Sequence, residues 1–258
     1  MPRVTAGGRQ LDYEWVGEAA GAGPARPVIV MLHEGLGSVA LWRDFPAAVH
    51  KATGLSVLVY SRWGYGKSEP IPQGPRPPDY MNAEGREALP DLLKALGVTK
   101  PILLGHSDGG SIALINAGSG VAPAPIGVIT MAAHVFVETI STISIAKARV
   151  AYEESDLRSK LARFHDDVDG AFWQWNDAWL NPDFRGFDIR GELRAIQAPL
   201  LAIQGVDDGY ASMAQLDDIA AALPHTRLLK LPACGHAPHQ DQPQAVNAAI
   251  ADLLAGLE

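Results

Sequence analysis

The chain has one cysteine, Cys234, in 258 residues, so no intrachain disulfide can form and no cysteine-based zinc site can be assembled. It also lacks an excess of positive charge: 21 Lys and Arg stand against 29 Asp and Glu, for a net charge of -8. Nucleic-acid and anionic-membrane surfaces need clustered cations, so neither partner is expected. No apolar run approaches the roughly 20 residues of a membrane span. The opening "MPRVTAGGRQ" has no apolar h-region of the kind a secretion signal carries. A cytoplasmic location is the expectation. The Gly-rich turn "HEGLGS" (33–38) lacks the G-x-G-x-x-G spacing of a dinucleotide site, and neither cofactor nor metal is expected. Internal repeats and low-complexity tracts are absent as well.

What the chain does have is core-forming material. With 47% hydrophobic and 19% charged residues it has the composition of an ordinary globular protein, and its length suits one large α/β domain or a domain with an insertion. Six short apolar runs have the length and β-branched content of strands buried on both faces: "PVIVMLH", "SVLVYS", "PILLGHS", "IGVITMAAH", "PLLAIQG" and "TRLLKLP". Helical faces lie between several of them. Leu89, Leu92, Leu93 and Leu96 recur at helical spacing, with Asn82 as candidate N-cap, Gly97 as stop and Pro90 as an expected kink. Val246, Ile250, Leu253, Leu254 and Leu257 make a similar C-terminal face. Strands alternating with helices imply crossover connections and a mostly parallel sheet covered on both sides. The segment "VTAGGRQLDYEWVGEA" reads instead as an antiparallel edge hairpin about Gly7-Gly8. Between Val135 and Gln197 no strand-like run appears and aromatic residues crowd in, which predicts a helical lid over residues 135–197, with the core formed by 1–134 and 198–258.

The sequence Gly105-His106-Ser107-Asp108-Gly109 is a G-x-S-x-G at the junction of a predicted strand and a predicted helix. So tight a turn puts strained backbone angles on the serine and leaves no room for side chains at the flanking positions, which glycine resolves. Ser107 is thereby held out as a nucleophile, although "HSDGGS" alone also fits a serine that merely caps a helix. A hydroxyl needs a base. His236, on the Gly-flanked loop "LPACGHAPHQDQP" after the last predicted strand, is the candidate; His239 nearby is expected to face solvent and His106 to pack beside the turn. The base needs a carboxylate to fix its tautomer, and "LLAIQGVDDGYAS" offers Asp208, with Asp207 as fallback. Two N–H groups should face the developing oxyanion: the amide of Asp108 at the helix start and that of Leu36, or else Gly35, in "HEGLGS".

These segments together resemble the α/β-hydrolase family, specifically its small lid-bearing members, along nearly the whole chain. "HEGLGS" is similar to that family's oxyanion turn, "YSRWGYGKSE" to its R-G-x-G-x-S segment with Trp63 in place of part of the usual run, "GHSDGGSIAL" to its nucleophile elbow, "IQGVDDGY" to its G-x-x-D acid loop and "CGHAPHQDQP" to its histidine loop. The resemblance implies a mostly parallel twisted sheet with helices on both faces and a helical lid inserted before the last two strands. It also implies a Ser-His-Asp hydrolase acting on a small-molecule acyl substrate, an ester in the first instance. Trp173, Trp175, Trp179, Phe136 and Tyr210 are the expected substrate-binding residues. A carbon-carbon bond hydrolase or a lactonase would use the same triad, and the first would need a cation for a substrate carboxylate, for which Arg62, Arg149 and Arg190 are candidates. A hydrolase fold kept as a small-molecule receptor is the non-enzymatic alternative. Finally, the carboxylate of Asp108 is placed to hold a substrate ammonium group, unless it serves only the helix dipole.

Overall fold

The computed structural model describes residues 2–20, 25–72, 74 and 76–256. Eight strands form one sheet: β1 (Arg3–Ala6), β2 (Arg9–Val16), β3 (Val28–Leu32), β4 (Ser56–Tyr60), β5 (Pro101–His106), β6 (Gly127–Met131), β7 (Leu200–Gly205) and β8 (Arg227–Leu231). Their spatial order is β1-β2-β4-β3-β5-β6-β7-β8. The first two strands are the expected hairpin, with Gly7 and Gly8 both at positive φ in its turn, and β2 joins β4 antiparallel while all later neighbours are parallel. The order reverses at β3, because β4 lies on one side of it and β5 on the other. Crevices open at the carboxyl edge beside such a reversal.

Strands β3, β5, β6 and β7 are buried throughout, as continuous apolar runs require. Strand β8 departs from that expectation: Arg227, Leu228 and Lys230 are exposed, because it has a neighbour only in β7 and ends the sheet. Helices cover both faces. One is covered by α1 (Phe45–Thr53) and a C-terminal helix that contributes Val246, Ile250, Leu253 and Leu254 to the same apolar cluster; Leu257 lies outside the described residues. On the other face, residues 80–95 form α2 (Tyr80–Ala83), a π-turn over Glu84–Ala88 and α3 (Leu89–Ala95). The expected N-cap Asn82 lies inside this helix, which starts at Tyr80. Where the sequence predicts a kink at Pro90, the chain has a widened turn just ahead of it: a proline lacks the amide and crowds the carbonyl four residues back, and the wider turn relieves both problems.

Helix α4 (Asp108–Ser119) follows β5 directly and is buried along most of its length. Between β6 and β7 the chain leaves the sheet for α5 (Thr139–Glu154), α6 (Leu157–Leu161), α7 (Val168–Leu180) and α8 (Arg190–Leu193). Aromatic packing joins them to one another and to the body: Tyr152 stacks on Phe172 with centroids 3.7 Å apart, and Phe184 stacks on Tyr80 of α2 at 6.0 Å. The chain returns through α9 (Ala214–Ala222), α10 (Pro238–Asp241) and α11 (Pro243–Leu254).

Candidate active site

The turn from β5 into α4 raises Ser107 above the sheet at φ 52°, ψ -119°, the strained conformation the sequence predicts. Two collisions explain the flanking glycines. A Cβ on Gly105 would stand 2.2 Å from the carbonyl oxygen of Gly109, and one on Gly109 would stand 2.1 Å from that of Leu32. Ser107 Oγ makes no capping bond to the helix. Its hydroxyl instead donates to His236 Nε2 at 3.0 Å. On the far side of that ring, Nδ1–H faces both oxygens of Asp208 at 2.9 Å. The acceptor-only carboxylate on one side and the donating hydroxyl on the other fix the tautomer: Nδ1 carries the proton and Nε2 is the free base.

Asp208 is held in turn by the amides of Tyr210 at 2.8 Å and Ala211 at 3.3 Å. Burial alone would raise its pKa, but the hydrogen bond and charge of His236 and the Tyr210 amide outweigh burial and hold it below the usual carboxylate range. Asp207 takes no part in this contact; its amide donates to the carbonyl of Cys234. Ser107, His236 and Asp208 are therefore brought together from three separate loops at one edge of the sheet.

The amides of Gly35, Leu36 and Asp108 have no acceptor among the described residues, and all three residues line the cavity over Ser107. The turn that presents the first two is braced from below. His33 Nδ1–H donates to the carbonyl of Glu34 at 2.6 Å, its Nε2 accepts the Arg62 amide at 3.0 Å, and Arg62 Nη2 donates to the same Glu34 carbonyl at 2.8 Å. The carboxylate of Asp108 is committed elsewhere. It accepts from Tyr80 Oη at 2.6 Å and Trp179 Nε1 at 3.2 Å, lies 3.8 Å from Arg62 Nη2, and is 1% exposed, so its oxygens are already occupied without a substrate ammonium. Burial pushes its pKa up, against the pull of Arg62 and the two donors.

The cavity has a volume of about 130 Å³, close to that of the roughly 150 Å³ cavity known to hold one benzene ring. Trp175, Trp179 and Tyr210 line it as expected. Trp173 and Phe136 are corrections. Trp173 packs edge-on against Tyr152 and Phe172 beneath Arg149, and Phe136 sits under Arg190 in a bridge to Asp188, so neither ring is among the cavity's lining. A helical spacing rich in tryptophan does not say which rings face inward. His239 is also corrected: it is buried, with its ring 5.1 Å from both Trp42 and Phe45.

Several lining residues carried no signal in the sequence. Ser141 and Ile145 come from α5, and Ser141 Oγ donates to the Tyr210 carbonyl at 2.6 Å, tying that helix to the acid loop. His134 follows β6, with its ring edge-on to Trp179 at 4.9 Å and 6.0 Å from that of His236; burial, aided by the neighbouring His236, lowers its pKa to about 3, so it stays neutral. Glu34 is the remaining unexpected wall, and its charge matters below.

A strained serine, a histidine with its tautomer fixed and uncommitted amides around one cavity at the edge of an eight-stranded sheet define a hydrolase. The chain belongs to the alpha/beta hydrolase family, which it matches over residues 29–249. It is 28% identical over 247 residues to a putative carbamate hydrolase RutD of Pseudomonas savastanoi pv. phaseolicola, covering 88% of this chain and 93% of that protein. It is 27% identical over 273 residues to the 2-hydroxy-6-oxononadienedioate/2-hydroxy-6-oxononatrienedioate hydrolase 2 of Pseudomonas putida, covering 95% and 91% of the two chains. In fold it resembles the enol-lactonase of Burkholderia xenovorans, with a TM-score of 0.75, 22% identity and coverage of 98% and 100%. No helix among the described residues is long and apolar enough to cross a membrane.

Proposed function

We propose that this hydrolase cleaves small, uncharged carboxylic esters through an acyl-enzyme, with Ser107 as nucleophile, His236 as base and Asp208 as its orienting carboxylate. His236 takes the Ser107 proton as Oγ attacks the acyl carbonyl, then returns it to the leaving alcohol. Water repeats the sequence to release the acid. The amide of Asp108 and that of Leu36 or Gly35 receive the oxyanion, and loss of one such donor typically costs about 3 kcal/mol of barrier. The helices between β6 and β7 act as a lid that excludes water.

One observation carries the choice of substrate. The charged side chains lining the cavity are Glu34 and Asp108, both acidic, while each arginine that a substrate carboxylate would need has its own partners. Arg62 serves Glu34 and Asp108, Arg149 serves Asn176 and Asp177, and Arg190 serves Asp188 and Asp218. A substrate carboxylate would find no free cation at the cavity, since each of these arginines is already paired, which disfavours the carbon-carbon bond reading. The cavity's volume favours a short acyl group.

The test is a panel of neutral esters of increasing acyl length, with a lactone, a carbamate and a carboxylate-bearing ring-fission product alongside. The expected ranking puts short neutral esters first and the carboxylate-bearing substrate last. Preferred turnover of the anionic diketone would overturn the assignment.

A further inference from the structure

Three histidine rings besides His236 meet at the sheet edge, and one of them faces a carboxylate. His106, the last residue of β5, lies directly before the nucleophile and is buried. Its Nε2 stands 2.7 Å from the backbone carbonyl of His236. A carbonyl can only accept, so Nε2 must carry a proton. Its Nδ1 stands 3.5 Å from Glu34 Oε2 in the oxyanion turn. An unprotonated Nδ1 would point a lone pair at a carboxylate, so this arrangement calls for a proton there too.

The surroundings agree. The groups around His106 are Glu34 from the turn after β3, Asp208 from the loop after β7, the His236 carbonyl, and the rings of His236, His239 and Trp42. Burial acts to lower the pKa of His106, but the nearby Glu34 carboxylate outweighs it and raises it above the ordinary value, and Glu34 is held well below its own. His239, 5.0 Å away and without a carboxylate partner, goes the other way, to about 3, chiefly through burial.

We propose that Glu34 and His106 form a second carboxylate–histidine pair that positions the first, by holding the backbone of His236 so that its ring stays in line between Asp208 and Ser107. The hydrogen bond spans 130 residues of sequence and joins three corners of the site: the oxyanion turn through Glu34, the elbow strand through His106 and the histidine loop through His236. His106 does not touch substrate, so it is a positioning residue. The inference rests on the role proposed for His236, but its geometry can be tested without turnover.

Three variants separate the contributions. Gln places a side-chain N–H where His Nε2–H lies, so His106→Gln keeps the donor and loses the charge. His106→Leu loses both, and Glu34→Gln keeps the ring and removes its counter-charge. Against a short p-nitrophenyl ester, His106→Leu should lower kcat about 100-fold with KM little changed, the scale expected when a catalytic group drifts by about 1 Å. His106→Gln should recover at least about tenfold of that loss, because the hydrogen bond that remains is the one that matters. In ¹⁵N-histidine NMR spectra of the whole protein at pH 7, His106 should show both nitrogens protonated in the wild type, and the neutral Nε2–H form in Glu34→Gln.

A folded His106→Leu with wild-type kcat would overturn the proposal, as would a neutral His106 in the wild type. Equal loss in His106→Gln and His106→Leu would overturn the positioning hydrogen bond. A wild type that turns over no ester would end the proposed function while leaving the NMR result to judge the pair.

Discussion

The loops at the carboxyl edge of the sheet and the helices that cover them are held by different forces. At the edge, backbone meets backbone: the glycines at 105 and 109 admit contacts that no side chain could survive, and half-buried hydrogen bonds fix Ser107, His236 and Asp208 from several sides. Over it, α5 to α8 rest on stacked rings and on ion pairs exposed to water, such as Arg158 with Asp169 and Arg190 with Asp188. Apolar burial is non-directional, and exposed ion pairs contribute little. The edge is built to hold atoms to within fractions of an ångström, and the cover to present a shape. Substitutions at the edge should therefore remove activity or the fold, whereas substitutions in the cover should alter selectivity.

The largest expected effect is at the acid loop. Asp208→Asn should lower kcat by about 10⁴-fold, because the amide no longer fixes the proton on Nδ1 of His236. Esterase assays at saturating substrate read this directly, and a loss under tenfold would mean that the two regions are not divided as argued. Next, Gly109→Ala should destabilise the protein by about 3 kcal/mol or more, since the new methyl meets the Leu32 backbone rather than a side chain that can turn away. Thermal melts check it.

Acid should weaken the edge in a sloped way. His134 and His239 are buried neutral, with pKa values lowered to about 3 mainly by burial, against an unfolded value near 6.5. Between those limits the unfolded chain binds the extra protons, so stability is full above pH 6.5 and falls as pH drops, by roughly 1.4 kcal/mol per pH unit for each ring. His239→Phe, which keeps a ring against Trp42 and Phe45, should flatten that slope in denaturant titrations between pH 6.5 and 4.5.

The smallest effects belong to the cover. Trp175 lines the cavity, and its Nε1 lies so close to Gly35 that a Cβ there would stand 2.0 Å away. Trp175→Phe shortens that wall and should shift the preferred acyl group upward by one or two carbons, at about tenfold in relative kcat/KM. An unchanged chain-length profile would mean that α7 does not set the pocket. Arg158→Ala, on the exposed ion pair, should leave kcat unaltered.

The same division governed what could be read from the sequence. The strands, the hairpin about Gly7-Gly8 and the tight turn at Ser107 follow from local rules of pattern and spacing, whereas the preference for Asp208 over Asp207 rests on the G-x-x-D spacing that the family resemblance implies. Within the cover, the tryptophan-rich stretch announced aromatic packing, but Trp173 and Trp175 differ by two positions on one helix and face different neighbours, which hydrophobicity alone does not resolve. The Glu34–His106 contact was not legible either, because it joins residues 72 positions apart that share no pattern. His239 differs for a related reason: its place in the histidine loop suggests exposure, but Trp42 and Phe45, which follow β3 in the middle of the sheet order, close over it.

The central claim is that one hydroxyl, activated by one distant imidazole, does the chemistry. Treating the protein with a fluorophosphonate probe and locating the adduct by peptide mass spectrometry tests it most directly. The account predicts a single phosphonylated residue, Ser107, with labelling slowed at least about 100-fold in His236→Ala. Rapid labelling of the His236→Ala protein, or an adduct on any residue other than Ser107, would contradict it.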